Sequence, residues 1–155
     1  MAAAIYAEHS LNVDWKDHLT DVPGGYAGFN TSIGVSQVQV ETAKLLEEKG
    51  YMPKIIRVDD GLTYLETGSI YDTETMMRVN SLRDPKTNIR YAAAYLKNFQ
   101  DNWASEYPVI AGDSAVLTTL FNQGQLNPPH PNPTPNDFGR FAAKYYSHVC
   151  GLLGL

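Results

Sequence analysis

The sequence predicts a mainly α-helical domain with at most a small β element. Three observations lead there. Apolar residues recur at helical spacing, as in Ile89, Ala92, Ala93, Leu96 and Phe99. Helix start signals precede such windows: Asp84 is followed by Pro85, and Asp113 opens another. Extended pieces are few and short, a weak one at Lys54 to Val58 and an ambiguous one at Leu62 to Ser69. With 155 residues, 43% apolar and 19% charged, the expectation is one globular domain over residues 1–155 with a real core.

In chain order, Ala2 to Ser10 reads as a short helix of good formers. Val13 to Thr31 reads as a long connection rich in aspartate, glycine and asparagine, and a loop of that length is more often functional than idle. A helix is expected from near Val35 to Lys49, with Gly50 as its stop and Val38 and Leu45, with Thr42 or Leu46, on its inner face. Asp72 to Ser81 reads as a short helix with Met76, Met77 and Val79 partly buried. Pro85 opens the next, which runs to about Ala104 on the inner stripe named above. Asp113 caps a helix through Leu117, Leu120 and Phe121 that ends at Gly124. Leu126 to Pro135 holds five prolines in ten residues and is a stiff connector. A last helix spans about Asn136 to Cys150. The expectation is six or seven helices in a bundle-like arrangement.

Composition narrows function. A net charge of −5 argues against a nucleic-acid partner, because phosphate binding favours a basic excess. Ten tyrosines, five phenylalanines and two tryptophans suit both a core and the gripping of sugar faces. One cysteine, Cys150, excludes an internal disulfide. The histidines show no ligand spacing with it, so no metal is expected. No apolar stretch approaches the roughly 20 residues of a membrane span. Met1 to Ala7 lacks a basic start, so it does not read as a signal peptide, and a module of a longer protein is compatible with this beginning.

Several stretches, taken in order, resemble the lysozyme-like superfamily, in particular lytic transglycosylases and goose-type lysozymes. Ile5-Tyr6-Ala7-Glu8-His9-Ser10 is similar to the helix end that carries the family's catalytic glutamate, with His9 between glutamate and serine. Gly34-Val35-Ser36-Gln37-Val38 resembles the "G-L-M-Q-V" segment, with serine where methionine is common, and Thr42-Ala43 matches its trailing "T-A". Asp84-Pro85-Lys86-Thr87-Asn88-Ile89, closed by Tyr95-Leu96, resembles "D-P-x-x-N-I-x-x-G-x-x-Y-L". Phe121-Asn122-Gln123-Gly124 is similar to "Y-N-x-G", and Tyr145 resembles a tyrosine near the acid, a role Tyr146 could also fill.

The resemblance implies a lysozyme-like helical fold that cleaves the β-1,4 bond between N-acetylmuramic acid and N-acetylglucosamine. Glu8 would be general acid, then general base, kept protonated by apolar neighbours. A hydrolase that inverts also needs a second carboxylate, roughly 6.5 to 9.5 Å from the first. Asp21 is the first choice, ahead of Asp14, Asp17 and Glu41. A transglycosylase needs none, because the sugar's own 6-hydroxyl attacks. Gly34 would admit a close sugar, Gln37 and Asn122 would hydrogen-bond it, and Tyr145 would steady the acid. Tyr26 and Phe29, on the glycine-rich connection, are candidates to stack on sugar rings. No cofactor is implied. The implied partners are peptidoglycan glycan strands, with an inhibitor or immunity protein compatible. The implied place of action is the cell wall, reached as a periplasmic, secreted or injected protein. Two rivals share the fold: a wall-binding module without activity, and a chitinase- or chitosanase-like hydrolase.

Overall fold

The computed structural model describes residues 4–5, 22–27, 29–55, 73–104, 108, 112–123 and 134–153. The protein is mainly α with a small two-stranded sheet. Its elements are β1 (Ser32–Ile33), β2 (Val38–Gln39), α1 (Val40–Glu48), α2 (Thr73–Arg83), α3 (Pro85–Ala104), α4 (Ser114–Gln123) and α5 (Asp137–Leu153). The chain divides into two compact units, Asp14–Tyr91 and Met1–Val13 with Ala92–Leu155. Among the described residues, no helix is long and apolar enough to cross a membrane.

In the unit Asp14–Tyr91, residues 22–26 form a helical turn inside the stretch expected to be a bare connection. The larger correction concerns Val35. It does not open a helix. Ser32 pairs with Gln39 and Ile33 with Val38 in an antiparallel hairpin, and the helix begins only at Val40. The asparagine side chain of Asn30 explains the new start, because its Oδ1 accepts the Glu41 N–H at 3.0 Å, one of the donors a helix beginning leaves open. The inner face of α1 is Val40, Thr42, Ala43, Leu46 and Glu47, while Leu45 is only half-buried. Gly50 stops the helix as expected, with φ 79° and its N–H on the Glu47 carbonyl at 3.1 Å.

α2 packs on α1 and β1, and its Val79 and Leu82 are fully buried. Met77 is 36% exposed and Met76 half-buried, as expected, while Val79 is more deeply buried than expected. α2 also buries a charge. Arg78 donates Nε to Glu47 Oε1 at 3.0 Å and Nη2 to Glu47 Oε2 at 2.8 Å. Tyr91 of α3 donates its hydroxyl to the same Oε1 at 2.8 Å. All three side chains are at least 96% shielded, so the carboxylate survives in the interior only because its oxygens are matched by a two-pronged guanidinium and a phenol.

This cluster sets an alkaline limit on stability. Burial, and then the hydrogen bond to the Glu47 carboxylate, hold the Tyr91 phenol well above its ordinary 10.0. Above pH 10 the unfolded chain therefore releases a proton that the folded chain keeps, and stability falls as pH rises. Denaturant titrations at pH 9 and pH 11 are expected to show a lower midpoint at pH 11. In Tyr91→Phe that drop should be smaller, although the variant starts less stable because one bond to Glu47 is gone.

α3 begins as its start signal requires. Asp84 Oδ2 accepts the Thr87 N–H at 2.8 Å, and the hydrogen bonds from Thr87 hold its carboxyl below the usual aspartate range. Its buried stripe keeps Ala92 and Phe99 of the expected face. Asn88, Tyr91, Ala94, Tyr95, Asn98 and Trp103 are buried with them, whereas Ile89, Ala93 and Leu96 are half-exposed. The inner face is rotated by about one position and carries two asparagines.

In the other unit, Ala4 and Ile5 are helical, and the rest of the helix expected over Ala2–Ser10 lies outside the described residues. Tyr95 stacks obliquely on Phe99 (4.6 Å between centroids) and on Phe121 of α4 (5.6 Å), which joins α3 to α4. Asp113 Oδ1 caps α4 by accepting from the Ala115 and Val116 N–H groups at 2.9 and 3.1 Å. Asn136 Oδ1 caps α5 by accepting from Gly139 at 2.8 Å. α4 and α5 approach so closely that a Cβ on Gly139 would overlap Thr119 Oγ1 and the Ala115 carbonyl oxygen, so only glycine fits.

Candidate functional site

The best-defined candidate feature in the unit Asp14–Tyr91 is the turn between β1 and β2. Gly34 and Gln37 both adopt positive φ, 79° and 49°. The Gln37 N–H donates to the Gly34 carbonyl at 3.1 Å. For glutamine a left-handed backbone is uncommon and persists where its surroundings dictate it. Here the side chain helps, because Gln37 Nε2 donates to the same Gly34 oxygen at 3.0 Å.

The turn is gripped from outside by one residue of α3. Asn88 Nδ2 donates to the Ile33 carbonyl at 2.7 Å and to the Leu82 carbonyl at 3.0 Å, and its Oδ1 accepts the Ser36 N–H at 2.7 Å. Asn88 and Ser36 are wholly buried. The primary amide is the one side chain here that offers two donors and an acceptor in one plane, so nothing else of that size satisfies all three backbone groups. Gly34 belongs to this contact. A Cβ there would stand 2.5 Å from Asn88 Nδ2 and 2.5 Å from the Leu82 oxygen. The close approach that demands glycine is thus to α3 and the end of α2. Ser36 Oγ is buried with no hydrogen-bond partner among the described residues, a standing cost in this turn.

Tyr26 is held in the same unit. Its hydroxyl donates to Asn80 Oδ1 and accepts from Arg83 Nη1 at 3.2 Å, which ties residues 22–26 to α2. Phe29, three positions on, is 67% exposed. Glu41 is an exposed residue in the first turn of α1.

In the other unit, Asn122 is an exposed residue near the end of α4, and its Oδ1 accepts from Asn136 Nδ2 at 3.2 Å. It therefore braces the cap of α5. Tyr145 of α5 is half-buried, with its ring 4.8 Å from Phe141 and the Lys144 ammonium 5.7 Å from its centroid. Tyr146 is exposed. Glu8, Asp21, Asp14 and Asp17 lie outside the described residues.

Gly34 and Gln37 are thus in direct contact, and Asn122 and Tyr145 sit on the neighbouring helices α4 and α5. Sequence reasoning missed the role of Asn88, although the stretch Asp84 to Ile89 had been singled out. An asparagine in the first turn of a helix, where it is a modest helix former, is the signal that pointed to it. The Glu47–Arg78–Tyr91 cluster carried no such signal. Comparison with known protein families, with curated proteins and with solved structures finds no match for this chain.

Proposed function

We propose that this protein cleaves the β-1,4 bond between N-acetylmuramic acid and N-acetylglucosamine in peptidoglycan, as a lytic transglycosylase or a muramidase. One observation carries the reading. Two stretches that resemble the lysozyme-like pattern, Gly34 to Val38 and Asp84 to Ile89, lie far apart in sequence and are locked together through Asn88. Motif pieces that meet in space by a specific hydrogen-bond set are better support than pieces that only follow one another along the chain.

In this reading Glu8 protonates the leaving glycosidic oxygen as the bond to the anomeric carbon breaks. If water attacks, Asp21 activates it and takes its proton, and Glu8 regains its own from solvent. If the 6-hydroxyl of the same sugar attacks, Glu8 takes that proton back and no second carboxylate takes part. The rigid turn at Gly34–Gln37 offers backbone and amide groups to the sugars, and Asn122 and Tyr145 support the acid and an N-acetyl group. The work is done on the cell wall.

Purified peptidoglycan incubated with the protein is expected to release soluble fragments. Their masses identify the nucleophile, since anhydro products are lighter by one water than hydrolysed ones. Binding of the polymer without release of fragments would replace this reading with the inactive wall-binding module. Release from chitin oligomers alone would replace it with the chitinase-like hydrolase.

A further inference from the structure

The two aromatics of the glycine-rich connection have different fates in the structure. Tyr26 has its hydroxyl engaged by Asn80 and Arg83 and is half-buried. Phe29 leaves two-thirds of its surface in water, yet its backbone is not loose. Its N–H donates to the Gly24 carbonyl at 3.0 Å, and its own carbonyl accepts the Thr31 N–H at 2.9 Å. The next residue, Asn30, is locked as well. Its Oδ1 takes the Glu41 N–H at 3.0 Å and its Nδ2 donates to Gln39 Oε1 at 3.3 Å. Asn30 and Gln39 are both exposed.

An exposed ring on a fixed backbone, one residue along the chain from an exposed amide that is paired with a second exposed amide, joins an apolar face to directional hydrogen-bonding groups. That combination matches a sugar, whose ring has an apolar C–H face and a rim of hydroxyl and acetamido groups. An apolar peptide would leave the amides unmatched, and a purely polar ligand would leave the ring in water. Because the scaffold already holds these groups, little ordering cost remains on binding.

We infer that Phe29, with Asn30 and Gln39, forms a sugar-stacking subsite for a glycan strand. This rests on the peptidoglycan-cleaving reading above and extends it. The subsite lies at the open end of the hairpin, where the Val40 N–H meets the Thr31 carbonyl at 3.2 Å. The Gly34–Gln37 turn is at the other end, about 10 Å along the strands. A polymer spans both places, whereas one sugar ring does not. The subsite therefore takes a sugar other than the one over the turn, and it favours long strands.

The test is co-sedimentation with purified, insoluble peptidoglycan at low temperature, with thermal melts run in parallel. Phe29→Ala should weaken binding about tenfold with no change in melting temperature, because the ring is mostly in water. Phe29→Trp should bind at least as well as the parent, and Phe29→Leu, apolar but without a flat face, should bind like the alanine variant. Parent protein that binds or cleaves peptidoglycan while Phe29→Ala binds equally well overturns the subsite alone. Equal binding by the leucine variant and the parent also overturns it, because stacking is then not the contact. Parent protein that neither binds nor cleaves the polymer overturns the glycan reading, and the subsite with it.

Discussion

Asn88→Asp is expected to lose about 4 kcal/mol of stability, close to what many domains of this size can spare. The reason is local. The parent side chain donates to two carbonyls and accepts from one N–H, fully shielded from solvent. An aspartate keeps the acceptor, removes both donors and places a carboxylate against the Ile33 and Leu82 oxygens. For a chain of 155 residues the melting point should fall by roughly 8 to 16 °C.

Asn88→Ala should cost less, about 3 kcal/mol, since it leaves groups unpaired but adds no charge. The two variants also differ in pH response. A carboxyl buried against carbonyl oxygens has its pKa raised above the unfolded value. Its penalty is absent at low pH, where it is protonated and donates one bond, and it grows as pH rises. Asn88→Asp should therefore be the worse variant at pH 7 and approach Asn88→Ala at pH 4. Melts within about 1 kcal/mol of the parent at pH 7 would contradict the clamp. Because the clamp fixes the turn proposed to meet glycan, turnover per folded molecule should fall too.

What could be read from the sequence was what the chain settles locally. The caps at Asp84 and Asp113 and the stop at Gly50 depend on residues within four positions, and all three stand as expected. The hairpin at Ser32–Gln39 was not legible. Its strands are two residues each, too short to show alternation, and Gln37 takes a left-handed backbone that its residue type does not announce. The turn is held by Asn88, more than fifty positions away, through the Ile33 carbonyl and the Ser36 N–H.

The rotated face of α3 has the same origin. Asn88 turns inward because backbone carbonyls await it, and Tyr91 because Glu47 does. Glu47 is a charged residue in the last turn of α1. It is buried because Arg78, 31 positions on, meets both its oxygens. The site residues divide similarly. Gly34 and Gln37 fall in one turn as their adjacency requires, while the engagement of Asn122 with Asn136 depends on the packing of α4 on α5.

The second large effect concerns activity. Glu8→Gln keeps the size and polarity of the side chain and removes the transferable proton. A positioned general acid accelerates bond cleavage by about 10² to 10⁴-fold, and the glycosidic oxygen is a poor leaving group without it. The variant should therefore lose at least about 99% of turnover while melting like the parent, the opposite pattern to Asn88→Asp, where stability falls first. Measuring soluble fragments released from purified peptidoglycan by parent and Glu8→Gln, at equal folded concentration, tests the account most directly. The prediction is abundant fragments from the parent and none above background from the variant. Equal release by the two proteins would contradict it.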